Sequence, residues 1–132
     1  MTFFIEEKII NAVTSLLAGR VNELLEESED RIPLIEFGYG AAPVIRLVAG
    51  ELGEKDRVIR SEAYTAAIVF NVPGQDGERD CYAYADAVGR ALGDDPTLGG
   101  AADRAVMTGK KYTCDPRELA ITLRITIEGM AL

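Results

Sequence analysis

Residues 119–128, reading LAITLRITIE, constrain the fold of this chain most. Leu119, Ile121, Leu123, Ile125 and Ile127 alternate there with Ala120, Thr122, Arg124, Thr126 and Glu128. Successive side chains of a strand point to opposite faces, so the pattern predicts a strand with one apolar face against a core and one polar face away from it. A half-buried strand of this kind is the signature of an antiparallel sheet.

Other segments supply partners. In the stretch that starts at Val58, Tyr64, Ala66, Ile68, Phe70 and Val72 share one face, and Ala63, Thr65, Ala67, Val69 and Asn71 the other. The second face is small and partly apolar, as in a strand at least partly covered on both sides. Residues 103–113 read as a strand with Gly109 a candidate bulge. Val44 to Val48 read as another, and RIPLIEF at 31–37 as an edge strand, because its proline cannot donate to a ladder. The turns fall at Gly38-Tyr39-Gly40 and at residues 73–77, and the charged, glycine-bearing residues 50–57 read as a mobile hairpin tip.

Two segments have the helical period instead. Ile9, Ile10, Val13, Leu16, Leu17, Val21, Leu24 and Leu25 recur at spacings of three and four within residues 4–27. Thr2 is the expected cap, and Gly19 a point where the helix breaks in two. The second helix starts at Asp80 as N-cap and ends at Gly93, with Cys81, Tyr84, Val88, Ala91 and Leu92 in one stripe. The expected class is therefore α/β in the α+β sense. A single domain over residues 1–132 carries an antiparallel or mixed sheet, packed by the N-terminal helix and a second helix near 80–92.

Composition narrows the chemistry. The chain has no histidine, which removes His-based acid–base catalysis, the common zinc sites and the Ser-His-Asp triad. Cys81 and Cys114 therefore lack an imidazole base, and free thiols are expected. With 22 acidic against 14 basic residues the net charge is −8, which argues against nucleic-acid binding as the main function. No apolar run is long enough to cross a bilayer. The start MTFFIEEKII carries glutamates directly after Phe3 and Phe4, where a signal peptide has a basic start and a longer apolar run, so no export is expected.

Few residues invite a functional reading. Asp94 and Asp95 are adjacent carboxylates with no further oxygen ligand placed by spacing, and a turn in which Asp holds local backbone accounts for them. The glycines from Gly93 to Gly100 lack the Lys-Ser/Thr of a phosphate loop. Tyr82 and Tyr84 cannot share a helix face: Tyr84 belongs to the apolar stripe, and Tyr82 is either exposed or in a contact between chains. Arg57, Arg60 and Glu62 form surface ion pairs or touch a neighbouring subunit. Arg124 and Glu128 carry the same two readings, and the polar face of Thr122, Arg124 and Thr126 is a lumen wall or simply solvent-facing.

The order of motifs resembles a known family. IVFNVPG at 68–74 leads into YAYADAVGRAL at 82–92, followed by DDPTLGGAADRAVMTGKKY at 94–112 and the final alternating strand. This is similar to the tail terminator proteins of long-tailed bacteriophages, also called tail completion or minor tail protein U-like. In them a Pro-Thr-Leu-Gly-Gly-type turn follows a helix and precedes two strands, the first with a Thr-Gly pair before a tyrosine, here Thr108-Gly109 and Tyr112. The likeness covers residues 60–128.

The resemblance implies a sheet packed by helices and a ring, usually a hexamer, that caps the tail tube, ends its polymerisation and helps join tail to head. It implies no catalytic residue, no metal and no cofactor. The implied partners are further copies of the chain, the major tail tube protein and a head-completion or connector protein. No membrane and no sequence-specific nucleic acid is among them, although DNA passes through the ring. The implied location is the head-proximal end of the virion tail, and the bacterial host cytoplasm during assembly. Candidate contacts with a subunit or the tube are Glu51, Glu54, Lys55, Asp56, Arg57, Gln75, Asp76, Tyr82 and Arg124. Other readings are a different neck adaptor and a small ligand-binding regulatory module, which would need a closed apolar pocket with convergent polar groups.

Overall fold

The computed structural model describes residues 4–29, 32–36, 43–71, 77–115 and 118–128. Its fold is α+β. The final strand, β4 (Glu118–Glu128), sits inside a four-stranded antiparallel sheet between β2 (Val58–Asn71) and β3 (Arg104–Asp115), with β1 (Val44–Lys55) beyond β2. The order β1-β2-β4-β3 leaves β1 and β3 as the edges. The alternation in β4 is realised as expected: Ile121, Leu123, Ile125 and Ile127 are fully buried, while Arg124 and Glu128 are exposed. Ala66, Ile68 and Phe70 of β2 extend the same apolar face through the pairs Ala66–Ile125, Ile68–Leu123 and Phe70–Ile121. Gly109 lies at a bulge, where the β3–β4 register shifts between Met107 and Gly109.

Helices cover that apolar face. The N-terminal segment forms α1 (Ile5–Leu16), a π-helical turn at Leu17–Val21 and α2 (Asn22–Glu27). The expected break at Gly19 is thus a widened turn in one continuous helix, which keeps Leu16, Leu17, Val21, Leu24 and Leu25 all buried. The cap is not Thr2, which lies outside the described residues. Phe4 holds the flanking extended position, and its N–H donates to Glu7 Oε1 at 3.5 Å. The second long helix, α3 (Gly77–Asp94), starts three residues before Asp80 and runs one past Gly93. Asp80 and Glu78 lie in its first turn, where carboxylates suit the positive end of the helix dipole as well as a cap position would. The stripe Cys81, Tyr84, Val88, Ala91 and Leu92 is buried, as its spacing demands.

Two further expectations are corrected. Residues 32–36 of RIPLIEF form no strand. Side chains hold their backbone in place of a ladder. Ile35 N–H donates to Asn22 Oδ1 at 2.7 Å, Asn22 Nδ2 donates to the Ile35 carbonyl at 3.0 Å, and the Tyr84 hydroxyl donates to the Pro33 carbonyl at 2.8 Å. This seats Ile32 and Ile35 in the core. Residues 50–57 are not a long loop tip either. β1 runs to Lys55 and pairs it with Val58, so the turn is only Asp56-Arg57, both at positive φ (55° and 66°). That pair of angles marks a type I′ turn, whose twist matches the flanking strands, and ladder pairing outweighs the loop-like composition. The expected turns at 38–40 and 73–76 lie outside the described residues.

Two outcomes are expected. Asn22→Ala leaves a buried residue's N–H and C=O without partners and lowers unfolding free energy by about 2–3 kcal/mol in urea titration. Tyr84 provides a pH signature. Its phenol is pushed up to about 12, chiefly by burial and then by the Asp80 and Cys81 charges. A raised pKa means that the unfolded chain ionises first. The stabilisation is complete below pH 10 and fades as pH climbs toward 12, by up to roughly 2–3 kcal/mol. Tyr84→Phe removes that alkaline slope, read as melting temperature against pH.

Candidate functional site

The expected contact residues fall in three separate places. Glu51, Glu54, Lys55, Asp56 and Arg57 lie on the β1–β2 hairpin. Only Ala63–Asn71 of β2 pairs with β4, so the hairpin from Leu52 to Ser61 extends past the sheet body as a two-stranded arm, by roughly 14 Å at the usual strand rise. Glu51, Glu54, Asp56 and Arg57 are exposed on it, and so is Leu52, at 70%. Tyr82 stands at the opposite side of the molecule. Arg124 points from β4 onto the sheet face that bears no helix among the described residues, its chain passing 3.8 Å from where a Cβ on Gly109 would be. Gln75 and Asp76 lie outside the described residues.

The structure adds residues that the sequence did not single out. Tyr82 of α3 meets Tyr112 of β3 edge to face, with ring centroids 5.8 Å apart, and both stay about half exposed. This aromatic pair sits beside the open edge of β3. On the other edge strand, β1 exposes Val44, Val48 and Leu52 at spacings of four. Val48 is the extra residue where the β1–β2 register shifts between Leu47 and Ala49. The two edges of the sheet thus carry unlike apolar patches, aromatic on one and aliphatic on the other. Neither edge has a strand partner among the described residues. Open edges with exposed apolar side chains are surfaces that proteins normally cover.

The carboxylate pair is accounted for by local structure. Asp94 accepts from Arg20, 2.8 Å to Nη2, and Arg20 also reaches Glu23 at 3.1 Å, which clips the π-turn to the end of α3. Asp95 accepts the Gly99 N–H at 2.7 Å and the Thr97 hydroxyl at 3.1 Å. The turn places Leu98, Gly99 and Gly100 at positive φ and buries Leu98. Among the described residues, no three His, Cys, Asp or Glu are grouped to hold a metal ion. A recess of about 320 Å³ opens between α2 and α3 beside Leu24, Ile32, Asp86 and Arg90. The recess is also lined by Glu27 and Ser28, and no polar or charged residue among the described residues is fully buried.

No helix among the described residues is long and apolar enough to cross a membrane. No protein-family model matches the sequence, and no curated protein matches it either.

The hairpin turn provides a direct check on the arm. Glycine adopts the left-handed conformation that Arg57 occupies without the penalty that a Cβ brings. Arg57→Gly should stabilise the arm by about 0.5 kcal/mol, net of the greater freedom of glycine in the open state. Hydrogen exchange at residues 52–61 should slow about twofold, while exchange in α3 stays unchanged.

Proposed function

We propose that this chain is a structural protein of a long-tailed bacteriophage or prophage that assembles head to tail into a ring, caps the tail tube, ends its polymerisation and helps join tail to head. One observation carries the reading. Apart from Phe4 and Leu34, the large apolar side chains exposed among the described residues fall into two unlike patches on opposite edges of one sheet, Val44, Val48 and Leu52 against Tyr82 and Tyr112. A cyclic assembly needs such a pair, because each copy must present one surface forward and a different one backward. Both patches border unpaired strand edges, which adds backbone hydrogen bonding to the contact. The motif order from residue 68 to residue 128 supplies the phage context, and the arm of residues 52–61 supplies a projection for the tube or connector.

The patches give the assembly a test of its geometry. Val48→Asp spoils the aliphatic edge and Tyr112→Asp the aromatic edge; each variant alone should be a folded monomer by sedimentation. Each keeps one intact edge, so a mixture of the two should form a one-to-one heterodimer and nothing larger. Assembly that survives either variant, or a mixture that stays monomeric, sinks the head-to-tail contact. The tail role is read by electron microscopy of the wild-type chain with the tail-tube protein encoded nearest to it. Rings should sit on the ends of short tubes, whereas tubes of uncontrolled length with bare ends would overturn the capping reading.

A further inference from the structure

The net charge of −8 conceals how the charges are arranged. The helical layer is acidic: Glu6, Glu7, Glu23, Glu26 and Glu27 face Lys8 and Arg20 as its only cations from α1 to α2. The bare face of the sheet is different. Register places Arg46 of β1 opposite Ala67, Ala67 opposite Arg124, and Arg124 opposite Gly109, all in one row. The adjacent row holds Val44, Val69, Thr122 and Lys111, and the row on the other side holds Ala49, Thr65, Thr126 and Val106. Arg46, Lys111 and Arg124 are exposed, and among the described residues none has a carboxylate partner. Glu51 and Glu128 stand two rows away from the Arg46–Arg124 row on one side, with Arg104 beside Glu128, and register places Asp115 and Glu118 two rows beyond Lys111 on the other. At the usual strand spacing, Arg46 and Arg124 rise roughly 10 Å apart, and Lys111 stands diagonally from Arg124 at roughly 8 Å.

We propose that this bare sheet face, through Arg46, Lys111 and Arg124, binds the phosphate backbone of duplex DNA without reading its sequence. Three cations without a carboxylate partner among the described residues, on a bed of alanine, glycine, threonine and the valines Val44, Val69 and Val106, offer charge and hydroxyl donors at separations that long side chains can adapt to successive phosphates. A protein partner fits less well. Protein interfaces have aromatic or aliphatic anchors at a centre depleted of charge, and here the two central strands put Arg124 among Ala67, Val69, Thr122 and Thr126, with no aromatic or long aliphatic side chain between them. Single strands fit less well too, because no aromatic ring lies on this face among the described residues to stack on a base. The inference does not require a ring. If the ring forms with this face inward, the same cations surround its channel.

Fluorescence anisotropy with a labelled 30-base-pair duplex of mixed sequence tests it. The wild-type chain should bind at 50 mM KCl with no preference between duplexes of different sequence. Binding should weaken with salt on a logarithmic slope of about −2.7 per chain, for three phosphates neutralised. The triple variant R46Q/K111Q/R124Q, with its circular dichroism and melting unchanged, should lose at least tenfold in affinity and most of the salt slope. Arg90→Gln, on the helical layer, should bind as wild type does. Equal binding by the triple variant, no binding at 50 mM KCl, or polyglutamate bound as tightly as duplex would each overturn the proposal, the last pointing to an acidic protein instead. Repeating the titration on the monomeric Tyr112→Asp variant, whose substitution lies on the helix-covered face, separates this inference from the assembly. A ring that ignores duplex sinks the binding face alone, and a monomer that binds duplex supports it whatever becomes of the ring.

Discussion

Ile121, Leu123, Ile125 and Ile127 are completely withdrawn from solvent, and the rest of the molecule is placed by what that requires. Burying one such side chain is worth about 1.5–3 kcal/mol, so the four together contribute about 6–12 kcal/mol, as much as the whole net stability of a small domain. The row can be dry only if strands lie on both sides and a helical layer lies above. β2 and β3 provide the sides, and α1 and α3 the layer, with Ile9, Val13, Leu17, Val21 and Val88 fully buried against it. Placing β4 in the interior of the sheet forces two other strands to the edges, and most of the large apolar side chains exposed among the described residues lie there, with Phe4 and Leu34 elsewhere.

The polar groups brought along by this packing are satisfied by side chains rather than by added structure. Asn22, at the end of the π-turn, offers residue 35 both halves of an amide pair, as a neighbouring strand would. Tyr84 is held by stacking on Phe70, 4.8 Å between ring centroids, and by its bond to the Pro33 carbonyl. A segment with proline in its centre is thereby kept against the core without a ladder. The widened helical turn has a second consequence. It brings Arg20 over Asp94, so that a carboxylate at the unfavourable end of the α3 dipole is matched by a cation.

Two surfaces are left over once the core is closed. The sheet edges are apolar and unlike one another, which suits contact between successive copies. The bare sheet face is cationic and smooth, which suits a polyanion. Both follow from having the described helices on one side of a four-stranded sheet. Five carboxylates from α1 to α2 lie on the helical side, while on the opposite face the Arg46–Arg124 row has Glu51 and Glu128 two rows away.

The alternation of β4 and β2, the stripes of the two helices, the bulge at Gly109 and the turn around Asp95 are all legible in the sequence. Each depends on residues a few positions apart, and the period of a strand or helix exposes them directly. The end of α3 and the length of the hairpin are less legible, because Asp80 suits a first turn as well as a cap, and a ladder can override glycine and charge in residues 50–55. The site is where sequence alone stops. Tyr82 and Arg124 are visible as exposed residues of a helix and a strand. Nothing in their local pattern says that Tyr112 meets the first, or that Arg46 and Lys111 share a face with the second. Those neighbours depend on strand order and register, which are decided by pairing between distant segments as they compete to cover one apolar row.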